Sequence, residues 1–271
     1  MPTNNGKLKE LEIIAHLNGK RVGELSNNLR NLLAALYGVL DDNEIVKCEL
    51  IEEFIKPDFI ITYKGIQKYV SMKTGRAECV HEENIKSFIL FLRSLGVSVR
   101  TQQTILLYHY GDGTLDGSNN ERIEYNKLRL MLESRIEEAN NELNSSKQFI
   151  LEVIERCLIT GTLEKAIPID CVYFGDYRFG EVATTKQITT HIKRKSWDWM
   201  KNLHIGPIQL RPHARYYNKE IKSEKRRQKL ECYWANLSSD ISYISSRYDY
   251  WCAHNLLWRA LFKPRNDKKD P

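Results

Sequence analysis

Residues 54–73 have the sequence FIKPDFIITYKGIQKYVSMK, and this stretch decides the fold. Two runs rich in β-branched and aromatic residues flank Lys64-Gly65, a pattern typical of two antiparallel strands joined by a tight turn. We predict strands over residues 54–63 and 66–73, with a two-residue loop that pairs positions whose numbers sum to 129. Lysine is not a favoured first residue of such a turn. A β-bulge at the turn would shift the pairing of the two strands.

Three polar side chains of this hairpin are expected to converge on one patch. In the predicted register Asp58 lies opposite Ser71, and Lys73 follows two residues later on the same face. Opposed Cβ atoms lie about 5 Å apart and diagonal ones about 7–8 Å apart. The other face carries apolar side chains that can pack against helices, namely Phe59, Ile61, Val70 and Met72.

An aspartate and a lysine on adjacent strands suit phosphodiester hydrolysis. Carboxylates hold Mg²⁺, which takes few protein ligands and activates water. A lysine beside the metal can orient or deprotonate the attacking water and offset phosphate charge. The alternative for Asp58 and Lys73 is an ordinary solvated surface, as for most charged pairs on hairpins.

The elements around the hairpin predict an α/β core of about 100 residues, a usual domain size. Apolar residues at helical spacing precede and follow the hairpin, and a further β-rich run comes after them. We predict helices over 7–17, 24–40 and 81–95 and strands over 45–51 and 104–110.

The hairpin and the order of elements resemble the PD-(D/E)xK nuclease superfamily, which includes restriction endonucleases, junction resolvases and DNA-repair nucleases. Pro57-Asp58 matches the PD, and Ser71-Met72-Lys73 matches the second half with serine in place of the usual acid. The resemblance covers roughly residues 20–110. It implies a restriction-endonuclease-like core, a central mixed sheet flanked by helices, in which Asp58 binds metal, Lys73 is catalytic and Ser71 assists.

The resemblance also implies Mg²⁺ as cofactor, with Mn²⁺ as a substitute, and a second acidic ligand. Some members with this serine carry the acid in the following helix, where Glu82 and Glu83 lie. The resemblance favours Glu83 as a catalytic and metal-binding residue, whereas helical phase favours Glu82, and both stay open. Glu24 is a further metal candidate from the first core helix. Charge at a helix N-terminus is the competing explanation for Glu82 and Glu83.

Positive charge is concentrated in the last third of the chain. Residues 191–271 contain 18 Lys/Arg and 8 Asp/Glu, which gives this region a net charge of +10. The whole chain has a net charge of +6, so residues 1–190 carry −4. Lysine and arginine contacts to phosphates supply most nonspecific DNA affinity. We therefore expect double-stranded DNA as the partner. The candidate DNA-binding residues are Lys193, Arg194, Lys195, Arg211, Arg215, Arg226 and Arg227.

We divide the chain into three parts. Residues 1–120 form the nuclease-like core, residues 121–160 a helical arm, and residues 161–271 a basic, aromatic-rich region packed on the core. In the third part we expect short strands near residues 171–174, 178–184 and 208–212 and a helix over residues 233–262. The amphipathic arm suggests a homodimer face.

The cysteines bear on the cellular compartment. Six are scattered through the chain without metal-site spacing, which favours reduced thiols in the cytoplasm. No apolar stretch is long enough to span a bilayer, so we expect no membrane partner.

The sequence thus predicts a Mg²⁺-dependent endodeoxyribonuclease, with a type II restriction-like enzyme as the favoured subtype. Two alternatives stay open. One is a noncatalytic DNA-binding or regulatory protein on the same fold, because serine replaces the usual acid at position 71. The other is a junction or repair nuclease that prefers branched or damaged DNA.

Overall fold

A computed structural model describes residues 5–53, 55–74, 79–119, 121–163, 166–212 and 224–247. Within these ranges the helices are α1 (Asn5–Leu17), α2 (Asn27–Tyr37), α3 (Ile85–Ser94), α4 (Val99–Tyr110), α5 (Tyr125–Met131), α6 (Glu133–Leu143), α7 (Lys147–Ile154), α8 (Thr185–Arg194) and α9 (Glu224–Arg227). A 3₁₀ turn covers Val22–Glu24, a π-helical turn covers Glu155–Thr160, and residues 237–247 are helical. The strands are β1 (Lys47–Leu50), β2 (Phe59–Tyr63), β3 (Ile66–Lys73), β4 (Cys79–Asn84), β5 (Cys171–Gly175), β6 (Gly180–Thr184), β7 (His204–Ile205), β8 (Ile208–Pro212) and β9 (Lys229–Trp234).

The strands form two sheets. The first has five strands in the order β1-β2-β3-β5-β6, and the second has four in the order β4-β9-β8-β7. In the first sheet β5 pairs parallel with β3, whereas the other neighbours are antiparallel, so the sheet is mixed. The chain that links β3 to β5 contains β4 and helices α3 to α7. The architecture is therefore α/β, with a mixed central sheet flanked by helices.

The β2–β3 hairpin has the register that the sequence predicts. Phe59 pairs with Val70 and Tyr63 with Ile66, so paired numbers sum to 129 without a bulge. The two turn residues both have positive φ, 49° at Lys64 and 77° at Gly65. Such a turn matches the right-handed twist of its strands, and it fixes which side chains share a face.

The two faces of the first sheet belong to two hydrophobic clusters. The face that carries Phe59, Ile61, Val70 and Met72 packs against α1 and α2 in the smaller cluster. Burying an aliphatic or phenyl side chain contributes roughly 1.5–3 kcal/mol, so this packing anchors the hairpin. The opposite face of the sheet contributes Val172 to the larger cluster. That cluster also contains side chains from the second sheet and from helices α3 to α8.

Two predictions around the hairpin differ from the structure. The helix predicted over 81–95 is confirmed as α3, but it begins only at Ile85, because residues 79–84 are strand β4 and pair with β9, about 150 residues away in the chain. Residues 104–110 belong to helix α4 and not to a fourth core strand. Ser98 caps α4 by accepting the backbone N–H of Thr101, and Gly111 ends it with a φ of 64°. The strand beside β3 is instead β5.

Three further expectations differ in extent. The helix predicted over 24–40 begins only at Asn27, so Glu24 lies in the preceding 3₁₀ turn. The helix predicted after residue 233 is preceded by β9, and helical structure covers 237–247. Strands near 171–174, 178–184 and 208–212 are confirmed.

Helices α5 to α7, the predicted arm, are built into the larger cluster. Leu128, Leu143 and Ile150 are buried there with side chains of α3, α8 and the second sheet. The amphipathic pattern that suggested a dimer face is therefore explained by packing within the chain. The two clusters also divide the chain differently from the three predicted parts, since the smaller one joins residues 13–72 to residues 171–182.

Candidate active site

The Asp58 carboxylate is held at the beginning of β2 by its neighbour β3. Its Oδ2 accepts a hydrogen bond from Ser71 Oγ at 3.1 Å and from the backbone N–H of Met72 at 2.5 Å. Ser71 is buried, with 1% of its surface exposed. No donor among the described residues reaches Asp58 Oδ1, so one oxygen is fixed and the other is free for a ligand.

Asp58 and Lys73 line the same groove, which has a volume of about 510 Å³. One wall is the end of the β2–β3 hairpin, and the other is β4 with Cys79, His81 and Glu82. Residues 160–163 close one side. Lys73 is half-buried, and in the described part of the chain it forms no ion pair with an acidic side chain. The groove between the two sheets therefore presents a fixed carboxylate and an uncommitted lysine.

Helix α1 brings a second carboxylate to this site. Glu10 is half-buried, and its pKa is raised, first by burial and then by the negative charge of Asp58. The positive charge of Lys73 opposes that shift. Glu10 therefore lies within electrostatic range of both groups. The negative charge of Asp58 thus adds to burial in disfavouring the ionised form of Glu10.

Glu83 lies on β4 and is committed to an internal ion pair. Arg156 donates to both carboxylate oxygens, at 2.9 and 2.7 Å, and His81 Nε2 lies 3.1 Å from Oε1. Burial alone would raise the pKa of Glu83, but these hydrogen bonds outweigh it and lower the pKa. With 5% of its side chain exposed, Glu83 stabilises the junction of β4 with the π-helical turn. Glu83 thus lies on a strand and not at a helix start, and its predicted role as a metal ligand stays a prediction.

Glu82 and Glu24, the other predicted metal ligands, also have partners elsewhere. Glu82 faces the groove, but it forms an ion pair with Lys229 on the neighbouring strand β9. Glu24 is exposed, and its carboxylate accepts the backbone N–H of Arg21 at 3.3 Å. Glu24 thus stabilises its own turn, and its predicted role as a metal ligand stays a prediction.

Lys56 ties the two walls of the groove together. Its Nζ donates to the backbone carbonyl oxygens of Val80 on β4, at 2.7 Å, and of Cys157 in the π-helical turn. Burial lowers the pKa of Lys56 to about 8, although the Cys157 thiol opposes the shift. Gly161 permits this close approach, because a Cβ there would lie 3.1 Å from the Lys56 side chain.

The donor set at the groove fits magnesium. Among the described residues no three His, Cys, Asp or Glu side chains gather to hold a metal ion. Mg²⁺ needs fewer protein ligands, since it takes one or two carboxylates and completes its shell with waters and substrate phosphates. Asp58, with its free oxygen, provides one such carboxylate, and Glu10 lies within electrostatic range of it.

Local sequence does not single out Glu10 or Lys56 as site residues. A glutamate on an amphipathic helix carries no sign of which strand end the helix will cross, so Glu10 had no local signal. His81 and Lys56 acquire their roles from β4 and the π-helical turn. Both elements depend on contacts between distant parts of the chain.

The predicted DNA-binding residues fall into two groups. Lys193, Arg194 and Arg226 are exposed. The others have internal partners: Lys195 pairs with Asp240, Arg211 donates to Gln209, and Arg227 donates to the backbone oxygen of Asn119. Arg215 lies outside the described residues. Two of the three exposed candidates thus lie on helix α8.

Comparison with known proteins adds no assignment. No protein-family model matches this chain, and no curated protein is significantly similar to it. Within the described ranges, no helix is both long enough and apolar enough to cross a membrane.

Proposed function

We propose that this protein is a metal-dependent endodeoxyribonuclease with a restriction-endonuclease-like fold. The observation that carries the proposal is the groove in which Asp58, fixed by Ser71, meets Lys73, with Glu10 approaching from α1. The first sheet contains three antiparallel strands, β1 to β3, followed by β5, which is parallel to β3, and by β6 at the edge. Helices α1 and α2 pack on one face of this sheet. That order supports the resemblance to the PD-(D/E)xK superfamily.

Asp58 and Glu10 would hold Mg²⁺ at the mouth of the groove. When bound, the ion supplies Lewis acidity and positive charge at the scissile phosphate. Ser71 and the Met72 amide keep Asp58 in one orientation, so the free oxygen points the same way in each turnover. This preorganisation lowers the reorganisation needed when substrate arrives.

Lys73 would act on the attacking water and on the phosphate. Its ammonium group can donate a hydrogen bond that orients the water and can offset negative charge that develops on the phosphate oxygens. The lysine is suited to this because no described carboxylate neutralises it by direct pairing. The 510 Å³ groove is open enough to admit a phosphodiester backbone.

A noncatalytic DNA-binding protein is the second candidate, and one observation favours it. Glu83 and Glu82 are both paired with basic side chains, so the acid that the serine variant would need from β4 is not free. The two proposals share a DNA partner and differ in whether the groove hydrolyses it. A type II restriction-like enzyme remains the favoured subtype of the first, and its dimeric state is a proposal as well.

Cleavage of long duplex DNA of diverse sequence, with Mg²⁺ and with Mn²⁺, tests the function. The natural protein is compared with Asp58→Ala and Lys73→Ala, and with Lys47→Ala as a matched control on an exposed strand position. Discrete fragments from the natural protein and the control alone support a sequence-specific nuclease. Cutting that is confined to branched substrates indicates a junction or repair nuclease. Binding without cutting favours the second candidate.

A further inference from the structure

Helix α8 forms an exposed basic ridge. It spans ten residues, and its buried side carries Ile188 and Ile192. The exposed positions are Lys186, Thr190, Lys193 and Arg194, which follow one another at intervals of four, three and one residues. This spacing places them on one side of the helix. The ridge is therefore held by apolar packing below and presents three cations and a hydroxyl above.

A furrow runs along each side of α8. The first has a volume of about 730 Å³ and lies between α8 and the first half of β3, where Tyr69 faces it. The second, about 1290 Å³, lies between α8 and the helical residues 237–247, where Tyr243 and Arg247 face it. Lys186 lines both furrows, Lys193 lines the first and Arg194 lines the second.

The acidic groups in these furrows do not neutralise the ridge. Asp170 pairs with Lys68 in the first furrow, at 2.7 Å. In the second, Asp240 is buried and pairs with Lys195. Glu155, at the edge of the first furrow, accepts a hydrogen bond from Thr160 and keeps its negative charge, so one acid without an ion pair among the described residues faces the three cations of the ridge. The charge that remains on the ridge is positive, so it suits a polyanion.

We propose that α8 enters the major groove of duplex DNA and that the two furrows receive the two phosphate backbones beside it. This inference rests on the proposed function and assigns it a surface for reading sequence. A major groove about 12 Å wide admits one α-helix, and a ten-residue helix is about 15 Å long. A helix in that groove has one backbone on each side, which matches a basic ridge between two furrows.

The side chains of the ridge are of the kinds that recognise base edges. Lysine binds the O6 and N7 acceptors of guanine, and threonine contacts either a base edge or the thymine methyl group. Thr190 lies at the exposed centre of α8, between Lys186 and Lys193. Exposed Tyr243 and the Arg247 guanidinium, 4.7 Å from its ring, flank the second furrow and suit contacts to sugar and phosphate.

Salt-dependent binding to a mixed-sequence duplex of about 20 base pairs, two helical turns, tests the inference. Binding is measured in EDTA, so cleavage plays no part. The variant Lys186→Ala/Lys193→Ala is compared with Lys20→Ala/Lys47→Ala, which removes two exposed charges beside β1, the opposite edge strand of the sheet. Each lost phosphate contact lowers the slope of log K against log salt by about 0.9. We expect a fall near 2 for the α8 variant and none for the control.

Modified duplexes identify the groove. Replacing purines by 7-deazapurines removes an acceptor from the major groove, whereas inosine for guanine removes an amino group from the minor groove. We expect the first duplex to bind the natural protein about fivefold or more weakly, and the second to bind equally well. An unchanged salt slope in the α8 variant, a loss confined to the inosine duplex, or no binding by the natural protein overturns the inference.

The test also distinguishes this inference from the proposed function. If the protein cleaves DNA but its binding does not depend on α8, the inference about α8 is wrong and the proposed nuclease function stands. Binding through α8 without cleavage supports the inference and removes the nuclease in favour of a DNA-binding protein.

Discussion

The ion pair between Glu83 and Arg156 gives a sharp prediction about stability. Arg156→Ala leaves a carboxylate with 5% exposure facing His81 alone. Removing one partner of a buried ion pair costs about 3–5 kcal/mol, because the remaining charge stays buried. The change also removes the guanidinium from its position 4.5 Å from the Phe91 ring. We therefore expect the free energy of unfolding to fall by about 3–5 kcal/mol.

The chain offers a matched control for this change. Arg100 forms the same two-bond contact with Glu138, at 2.6 and 3.0 Å, but the two side chains are 67% and 53% exposed. An exposed pair contributes about 0.2–1 kcal/mol. Arg100→Ala should therefore cost at most about 1 kcal/mol. The difference between the two variants isolates burial, since the hydrogen-bond geometry is alike.

Urea unfolding at constant m-value measures both variants. The pKa of Glu83 is lowered in the folded protein, so its stabilisation is present above about pH 4.5 and is lost as the pH falls through the folded pKa. The cost of Arg156→Ala should shrink accordingly in acid. The double variant Glu83→Leu/Arg156→Met should recover most of the loss. Equal costs for Arg156→Ala and Arg100→Ala would refute the structural role of Glu83.

Three further predictions concern the groove. Glu10→Gln should raise the free energy of unfolding near pH 7 by up to about 1 kcal/mol relative to the exposed control Glu12→Gln. The reason is that burial and the charge of Asp58 raise the pKa of Glu10 in the folded protein. Urea unfolding as a function of pH should show this gain vanish below about pH 4.5. Lys56→Met should be more stable than the natural protein at pH 8 by about 1–2 kcal/mol, because the lowered pKa of Lys56 makes its charged form unfavourable in the folded protein. Thermal unfolding should show this difference in stability shrink toward pH 10.5. Ser71→Ala should cost about 1 kcal/mol and slow cleavage about tenfold in single-turnover assays, because Asp58 loses a donor; unchanged cleavage would remove Ser71 from the site.

The hairpin could be predicted because its determinants are local. Alternating apolar residues specify the buried face, and Lys64-Gly65 sets the turn, so the register and the placement of Asp58 beside Ser71 follow from residues 54–73 alone. The predicted bounds of β3 match the structure at both ends. Local pattern and tertiary packing agree here, which is the condition under which sequence reasoning succeeds.

Elements that depend on distant partners could not be predicted. Residues 79–84 contain two glutamates and an asparagine before an apolar helical run, which is typical of a helix start. Pairing with β9 instead makes them a strand and directs Glu83 toward Arg156. Helix α4 was missed because Thr104, Ile105 and Tyr108 favour strands, whereas in α4 their helical spacing buries them together.

We propose that Glu10 joins Asp58 and Lys73 in a metal-dependent nuclease site, and single-turnover cleavage of duplex DNA in Mg²⁺ is the decisive measurement. The natural protein is compared with Glu10→Gln and with Glu24→Gln, an exposed acid that accepts a bond from its own turn. We expect cleavage by the natural protein and by Glu24→Gln, and a loss of at least about a hundredfold in Glu10→Gln. Cleavage by Glu10→Gln at the natural rate, or no cleavage by the natural protein, would contradict it.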